Sequence, residues 1–390
     1  MRLVKGDQRA IRQLNRSAIL NLLRRRGSVS RVQLKELSGL SGAAVTSVVA
    51  ELMRDGLLIE QAVGTSTGGR PPVLLAINPK SCFAVGIKLM ADHMTAVLTN
   101  ISIETQERID YPLPDAQPAT VVAAVTAAVR KLLKQAGCSK KQLLGLGIGM
   151  PGMIDFRQGI CVHSPMLGWR LVPIGKMIEQ SVRCPTYIDN DVNAFAEAER
   201  LFGRGRQSSN FIVVTVGRGI GAGLVINGRT FRGHRGGAGE LGHVPTETDG
   251  RPCQCGNRGC LEAYASEPAM LNRIKEKESG AAGQSIDGML ESAKAGNKAT
   301  LEILRDGGRR VGVALAGLVN VFDPELIVIG GEGVRLGDAF FGPLRESLSA
   351  HVFNGLGDGL QVVTEPWDDD AWARGAAGLV VSRTFEANFS

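Results

Sequence analysis

A Gly-rich stretch in the second half of the chain contains four residues of the types that bind zinc. Three thiolates and one imidazole complete a tetrahedral shell around Zn²⁺, and a full shell leaves no position for water. We therefore expect a structural zinc ion, with a disulfide or a loop of unrelated thiols as the alternatives. Gly256 and Gly259 lie between the last two cysteines, where the backbone must bend tightly. The four predicted ligands are His243, Cys253, Cys255 and Cys260.

A second group of polar residues has the chemistry to hold a polyhydroxyl ligand. Asn190 and Asp191 follow a predicted strand over 186–188 and open a predicted helix. The amide both donates and accepts hydrogen bonds and the carboxylate accepts them, but Asn and Asp are also ordinary helix caps, so both interpretations remain open. Glu240 and Glu262 place two further carboxylates beside the predicted zinc ligands. Such a set suits a sugar better than an apolar or anionic ligand.

The elements that must position these side chains form a body of alternating strands and helices. This alternation predicts an α/β fold with mainly parallel sheets. Gly-rich turns after such strands are where α/β proteins place ligands and phosphates. The predicted strands cover residues 83–89, 143–149, 211–216 and 326–329. The predicted helices cover residues 119–136, 192–201 and 299–322, with a final helix over about 372–385.

The first 78 residues carry the whole net charge of the chain. They contain twelve Lys and Arg against five Asp and Glu, whereas basic and acidic residues balance in the remainder, and the total is +7. Arg24, Arg25 and Arg26 end the first predicted helix at the terminus that favours cations. A basic module attached to a neutral body indicates a polyanion as the partner of that module.

The order of elements in this module is that of a winged helix-turn-helix. Ser30 is a candidate N-cap for a short second helix over 31–37, and a tight turn leads into a third helix over 42–54. Two apolar runs at 57–59 and 73–77 then predict the strands of a wing. A three-helix interaction module with a solvated charged face is the alternative.

The outward face of the third helix carries small residues and hydroxyls, and lacks the Arg, Asn or Gln that could contact a base with two hydrogen bonds. Arg70 lies on a stiff Gly-Gly-Arg-Pro-Pro tip that suits an A·T-rich minor groove. We expect Arg70 to contribute more to DNA affinity than any single side chain of the third helix. The residues predicted to face DNA are Arg31, Gln33, Ala43, Thr46, Ser47 and Arg70.

The composition of the 390 residues is that of a globular protein of two or three domains. Hydrophobic residues make up 44% and charged residues 21%. The N-terminal stretch lacks the apolar core of a signal peptide, and no apolar run is long enough to span a membrane. Four of the seven cysteines lie singly and far apart, as buried thiols do in a reducing cytosol. We therefore expect a cytoplasmic protein.

Together the motifs resemble those of the ROK family, which contains repressors, open reading frames and sugar kinases. Residues 240–243 (ELGH) resemble the family's ExGH motif, and residues 253–262 (CQCGNRGCLE) resemble its CxCGxxGCxE zinc signature. Residues 190–191 (ND) resemble its sugar-binding pair, and residues 151–152 (PG) resemble the loop that lines the sugar. The resemblance covers essentially the whole chain. It implies a two-lobed actin-like, ribonuclease-H-like fold with a sugar bound between the lobes.

The resemblance also implies roles for individual residues. It implies that His243 binds zinc through one ring nitrogen and the sugar through the other, so that the metal orients a ligand-binding residue. The residues implied to contact the sugar are Gly152, Asn190, Asp191, Glu240, His243 and Glu262.

The departures from the family's kinases indicate a sensor and not an enzyme. Lys88 stands where the kinases have a metal-binding Asp, and the glycines of that phosphate loop are absent. Without them the chain lacks an anchor for Mg²⁺–ATP. Arg218 replaces a small hydroxyl residue in a second phosphate loop, whereas Asp191, the general base of the kinases, is retained. The alternatives are a kinase that also binds DNA and a repressor controlled by protein sequestration.

The basic module marks the repressor branch of the family and completes the predicted organisation. We expect a winged helix-turn-helix domain over 1–78, a first α/β lobe over 79–189 with the C-terminal segment 372–390, and a second lobe over 190–371. The second lobe is expected to carry the zinc site and an oligomerisation surface. The expected partners are a double-stranded DNA operator, a sugar or sugar phosphate, and further copies of the chain in a dimer or tetramer. The helix over 299–322 is either a dimer surface or part of the core.

Overall fold

The computed structural model of the chain describes residues 8–61, 72–277, 285–366 and 369–385. Its first part, here called the N-terminal unit, is made of three helices and a small antiparallel sheet of strand order β1-β3-β2. Its elements are α1 (Gln8–Arg26), β1 (Val29–Ser30), α2 (Arg31–Ser38), α3 (Gly42–Arg54), β2 (Leu58–Gln61) and β3 (Leu74–Ile77).

Local chemistry explains where the helices of this unit begin. Ser30 and Gln33 form a capping box at the start of α2, and the Ser41 hydroxyl accepts a hydrogen bond from the amide of Ala44 at the start of α3. The apolar positions of α3 are buried as predicted, and its small polar positions are exposed. Residues 62–71, which include Arg70 and all but the last residue of the predicted tip over 64–72, lie outside the described residues.

The first lobe is a five-stranded sheet of order β11-β7-β4-β5-β6 with a three-stranded sheet of order β10-β9-β8 beside it. Its strands are β4 (Phe83–Leu89), β5 (His93–Asn100), β6 (Thr105–Pro112), β7 (Leu143–Met150), β8 (Met153–Asp155), β9 (Ile160–Ser164), β10 (Trp169–Val172) and β11 (Thr186–Asn190). Its helices are α4 (Pro118–Gln135) and α5 (Ile174–Val182), and α6 (Asp191–Leu201) connects it to the second lobe.

The second lobe is a five-stranded sheet of order β14-β13-β12-β15-β16. Its strands are β12 (Phe211–Val216), β13 (Ile220–Ile226), β14 (Arg229–Phe231), β15 (Leu326–Gly330) and β16 (Gln361–Thr364). Its helices are α7 (Glu262–Ala265), α8 (Glu267–Lys277), α9 (Ile286–Lys294), α10 (Lys298–Phe322) and α11 (Asp338–His351). The last helix, α12 (Asp369–Phe385), returns to the first lobe and packs on β4 and β7.

The two large sheets have the same topology, and both are mixed. In the first sheet β4 pairs with β5 in antiparallel and with β7 in parallel orientation. In the second sheet β12 pairs in the same way with β13 and with β15. The prediction of mainly parallel sheets is therefore wrong, because each lobe begins with an antiparallel meander before its helical crossovers. The repeated topology is the two-lobed actin-like architecture that the sequence resemblance implies.

Glycines allow α12 to lie directly on the first sheet. A Cβ atom at Gly86 would lie 1.9 Å from the carbonyl oxygen of Ala373, and one at Gly147 would lie 1.8 Å from that of Ala376. Neither position has room for a side chain, so the two strands need glycine there. The final helix is thus an integral layer of the first lobe.

The long helix α10 packs into the core of the second lobe. The side of this helix that was expected to form either a dimer surface or the core carries Val311, Leu315, Leu318 and Val319, which are fully buried except for the partly buried Leu318. The core-packing alternative therefore describes this side of the helix. Among the described residues, no helix combines the length and the apolar character needed to cross a membrane.

The core of the N-terminal unit is continuous with that of the body. Ile19, Leu20 and Leu23 of α1 belong to the same buried apolar cluster as Val380 and Phe385 of α12. The N-terminal unit is therefore packed on the body and not connected only through the chain.

Candidate functional site

A cavity of about 370 Å³ lies in the cleft between the two lobes. It meets the ends of β7 and β11 on one side and the β12–β13 turn on the other, where the fold places ligands. All of the residues predicted to contact a sugar line this cavity: Gly152, Asn190, Asp191, Glu240, His243 and Glu262. The fold thus brings together residues that are more than a hundred positions apart in the chain.

Asn190 serves as a helix cap and also faces the cavity. Its side-chain oxygen accepts a hydrogen bond from the amide of Val192 at 2.9 Å, and its side-chain nitrogen donates to the carbonyl oxygen of Gly152 at 3.2 Å. Gly152 has φ +116°, and a Cβ atom there would lie 2.5 Å from the carbonyl oxygen of His163. The cap interpretation of Asn190 is therefore confirmed, the contact with a sugar stays a prediction, and the amide links the β7–β8 loop to the start of α6.

Asp191 lies at the floor of the cleft, at the first position of α6. Burial raises the pKa of its carboxyl to about 6, although the nearby Lys88 ammonium opposes this effect. Its Oδ1 accepts a hydrogen bond from the amide of Val192 at 3.0 Å. Asp191 lines the cavity, and a carboxylate there suits the hydroxyl groups of a ligand.

The four predicted metal ligands converge on one point beside the cavity. One ligand atom from each of His243, Cys253, Cys255 and Cys260 lies within 4.8 Å of the other three. The sulfurs of Cys255 and Cys260 are 3.8 Å apart, and the sulfur of Cys253 is 3.6 Å from Nδ1 of His243. Bonds of about 2.3 Å to sulfur and about 2.0–2.1 Å to nitrogen at tetrahedral angles require an S···S separation of about 3.8 Å and an S···N separation of about 3.5–3.6 Å. The residues therefore fit a zinc ion.

Backbone hydrogen bonds and glycines shape the loop that carries these four residues. The amide of Cys253 donates to the carbonyl oxygen of Asn257 at 2.8 Å, which closes the turn between the cysteines. Gly256 and Gly259 have φ values of +96° and +76°, as the predicted tight bend requires. A Cβ atom at Gly259 would also lie 1.7 Å from the carbonyl oxygen of Glu247.

The loop over residues 243–260, which carries the predicted zinc ligands and is here called the zinc loop, also positions polar groups of the cavity. Nδ1 of His243 faces the cysteines, while its Nε2 lies 3.8 Å from Oε2 of Glu240 on the cavity side. Gln254, between two of the cysteines, donates from Nε2 to Oε1 of Glu262 at 2.9 Å. The other oxygen of Glu262 accepts from the amide of Ile220 at 3.0 Å. Gln254 is a contact that the sequence motifs did not identify.

Two basic side chains also line the cavity. Lys88, which is 5% exposed, lies with Nζ 3.3 Å from Oε1 of Glu332 in the second lobe and 5.1 Å from the ring centre of Trp372. Arg218 lines the cavity from the β12–β13 turn. The substituted residue of the first phosphate loop therefore forms an ion pair across the cleft, which sequence reasoning missed because its partner is 244 positions away.

A second ion pair joins the lobes behind the cleft. Nε of Arg232 lies 2.5 Å from Oδ2 of Asp189, and both side chains are largely buried. Oδ1 of Asp189 accepts from the amide of Asn190 at 2.9 Å. This pair therefore supports the strand end that presents Asn190 to the cavity. Its only sequence signal was the position of Asp189 beside the Asn-Asp motif.

The described residues that were predicted to face DNA are exposed, but several of their side chains make contacts within the N-terminal unit. Ala43, Thr46 and Ser47 are exposed on α3, although the Thr46 hydroxyl donates to the carbonyl oxygen of Gly42 in its own helix at 2.8 Å. Arg31 is exposed and lies 3.4 Å from Glu60. The exposed side chain of Gln33 is engaged in the α2 capping box.

Several of the basic residues counted in the charge excess make internal contacts. Arg16 bridges Glu51 and Asp55 at 3.0 and 2.6 Å. Arg24 is 9% exposed, and its guanidinium donates to the carbonyl oxygen of Leu201 in the body. The charge pattern of the sequence therefore overstates the number of cations that this unit offers to a polyanion.

Comparisons with known proteins agree with these features. A sequence model of the ROK family matches residues 84–383. A xylose repressor of Caldicellulosiruptor bescii is 31% identical over 390 residues, which cover 97% of this chain and 98% of that protein.

Solved structures show the same fold. The crystal structure of a ROK family transcriptional regulator, a homologue of the Escherichia coli Mlc protein, matches with a TM-score of 0.85 and 26% identity over 97% of this chain and 98% of that one. A ROK family glucokinase from Streptomyces griseus, in complex with glucose and AMPPNP, matches with a TM-score of 0.65 and 28% identity over 76% of this chain and 98% of that one. The regulator thus matches nearly the whole chain, and the kinase about three quarters of it.

Proposed function

This chain belongs to the ROK family, and on that premise we propose that it is a sugar-responsive transcriptional repressor of genes for carbohydrate metabolism. The observation that carries the proposal is the combination of two parts in one chain. A helical unit with an exposed α3 face is packed on a two-lobed body whose cleft is lined by carboxylates, an amide and an imidazole. Its relatives of matching length include a xylose repressor.

The cleft binds the effector, which we propose is a sugar or a sugar phosphate. Asp191, Glu240 and Glu262 accept hydrogen bonds from its hydroxyl groups, and the Asn190 amide both donates and accepts. Nε2 of His243 adds a contact on the same side. A Zn²⁺ ion held by His243 and the three cysteines supplies a fixed anchor for the loop that carries these groups.

The N-terminal unit binds a double-stranded operator. In this proposal α3 enters the major groove with Ala43, Thr46 and Ser47 toward the bases, Arg31 and Gln33 contact the same site from α2, and Arg70 contacts the minor groove. The protein acts as a dimer or tetramer, because half-sites repeat about every 34–36 Å along one face of DNA. A change in the placement of the two units on closure of the cleft would therefore alter operator affinity. The sugar drives this change only through its higher affinity for one of the two states.

The cleft binds sugar without transferring a phosphoryl group. An ammonium group at Lys88, paired with Glu332 and close to Asp191, occupies the place where a kinase needs a carboxylate for Mg²⁺. Asp191 then acts as a hydrogen-bond acceptor for the sugar and not as a general base. The protein is accordingly a regulator and not an enzyme.

A screen of free and phosphorylated pentoses and hexoses tests the proposal. We expect one class of sugar to raise the melting temperature and to change the affinity of the protein for its operator by at least about tenfold, equal to 1.4 kcal/mol. ATP should not be consumed with any sugar in a coupled assay. A sugar that raises the melting temperature without changing operator affinity would contradict the sensor role, and ATP-dependent phosphorylation would favour the kinase alternative.

A further inference from the structure

Helix α6 connects the candidate effector site to the N-terminal unit. Its first residue, Asp191, and its cap, Asn190, line the cavity, and its last residue, Leu201, contacts α1. Eleven residues of α-helix extend about 16 Å at 1.5 Å per residue. A single rigid element therefore has the sugar site at one end and the N-terminal unit at the other.

The contact at the far end of α6 is made by Arg24 of α1. Its guanidinium donates to the carbonyl oxygen of Leu201, one of the last carbonyls of α6 that lack a partner within the helix. It also lies 5.8 Å from the ring centre of Phe202 and 5.6 Å from that of Phe385. Arg24 therefore caps a helix of the body from within the N-terminal unit, at the end where a cation is favourable.

Asn21 completes this junction. Its Nδ2 donates to the carbonyl oxygen of Phe385 at 2.7 Å, and its Oδ1 accepts from Nη2 of Arg24 at 3.1 Å. Burial lowers the pKa of Arg24 to about 10, so the guanidinium remains charged at neutral pH. A buried charge of this kind is stable only while its partners stay in place, so its position follows that of α6.

The middle of α6 is fixed to both lobes. A Cβ atom at Gly375 of α12 would lie 3.0 Å from Cα of Phe195, so α12 packs closely on α6 from the first-lobe side. On the other side Glu197 accepts from the hydroxyl of Thr230 at 2.6 Å in the second lobe. A change in the angle between the lobes must therefore rotate or shift α6 relative to at least one of them.

We propose that α6 transmits sugar binding to the N-terminal unit, and that Arg24 is the residue through which this unit follows α6. Sugar held by Asn190 and Asp191 fixes the start of the helix, closure of the lobes moves the helix as a rod, and Leu201 displaces Arg24. Because α1 is part of the core of the N-terminal unit, α3 moves with it. The inference rests on the proposed function, since it concerns how the effector signal reaches the operator.

The experiment measures the factor by which a sugar changes operator affinity in the full-length protein. The variants are Arg24→Met, which keeps an unbranched side chain but removes the guanidinium, and Asn21→Ala, which removes both the oxygen that accepts from Arg24 and the hydrogen bond to Phe385. Arg25→Met is the matched control, because Arg25 is the exposed neighbour on the same helix. The probe is whichever of xylose, glucose and their phosphates raises the melting temperature of the unmodified protein most. For each variant, operator affinity in the presence of that sugar is compared with the operator affinity of the same variant without it.

In the unmodified protein we expect the sugar to change operator affinity by about tenfold or more. In Arg24→Met and Asn21→Ala the same sugar should change operator affinity by less than about threefold. The sugar Kd of the isolated variants should stay within about threefold, and Arg25→Met should keep the full factor. If Arg24→Met does not fold, Asn21→Ala decides the question. An undiminished factor in a folded variant overturns the inference and leaves the proposed function standing. An unmodified protein whose operator affinity responds to no sugar overturns the proposed function itself.

Discussion

Loss of one zinc ligand should abolish the sugar response while leaving operator binding intact. Cys255→Ala removes an exposed thiol whose sulfur lies 3.8 Å from that of Cys260, so the variant cannot complete a tetrahedral shell. The loop then loses the anchor that directs His243 and Gln254 toward the cavity. The buried core of the N-terminal unit contains no residue of this loop, so that unit should keep its structure.

The size of the effect follows from the groups that the loop positions. His243, Glu240 and, through Gln254, Glu262 are the cavity groups that depend on it. Three hydrogen bonds to a sugar at about 1 kcal/mol each amount to about 3 kcal/mol. At 1.4 kcal/mol per factor of ten, the sugar Kd should rise by about a hundredfold.

Calorimetry with the best sugar from the screen, metal analysis and operator titrations test this reasoning together. The matched control is Cys138→Ala, which removes a partly buried thiol of the first lobe and should retain both zinc and sugar affinity. Operator affinity without sugar should stay within about threefold of that of the unmodified protein in both variants. A zinc-free Cys255→Ala protein that binds the sugar within threefold of normal would refute the link between metal and cavity. Simultaneous loss of DNA and sugar binding would return the zinc to a purely structural role.

Three further predictions test other parts of the structure. Burial raises the pKa of Asp191 to about 6, so its carboxyl is protonated below that pH. Sugar affinity should therefore fall as the pH drops through about 6. In calorimetric titrations, Asp191→Asn should weaken sugar binding at neutral pH and flatten this pH dependence. Phe385→Ala removes a fully buried ring of α12 that packs with α1. Chemical denaturation should show that the free energy of unfolding falls by about 3–5 kcal/mol. An unchanged denaturation midpoint would mean that the junction is not packed as described. Arg70→Ala should weaken operator binding in anisotropy titrations more than Thr46→Ala, and a loss within about twofold would exclude the wing as the main DNA contact.

Sequence patterns were sufficient for elements whose signals are local. The strand over Phe83–Leu89 and the helix over Gly42–Arg54 have the predicted bounds, because continuous apolar runs, helical spacing and a Ser cap mark them. The meander strands His93–Asn100 and Ile220–Ile226 were not predicted. The place of these strands is fixed by pairing with a neighbouring strand, which no local pattern reveals. Because the prediction omitted them, it gave the wrong expectation of mainly parallel sheets.

Residues of the candidate site could be predicted from the sequence only where they belong to short motifs with ligand-binding side chains. The cysteine spacing and the Asn190–Asp191 pair identified residues that the structure brings to one cleft. Pairs between distant positions were not accessible, as with Lys88 and Glu332 across the cleft. Arg24 is the clearest case, since three consecutive arginines at a helix end predict a solvated cationic terminus, whereas the first of them is buried against α6.

The shared core of α1 and α12 has a consequence for the synthesis of the protein. The ribosome makes the N-terminal unit before it makes Val380 and Phe385, which pack on that unit and follow it by about 300 positions in the chain. At roughly 5–20 residues per second, the interval between the two segments is roughly 15–60 seconds. Throughout that time α1 can pack on α2, α3 and β3 of its own unit, but the part of its surface that contacts α12 stays uncovered. The docked form of the N-terminal unit, in which α1 follows α6, therefore arises only after α12 has been made.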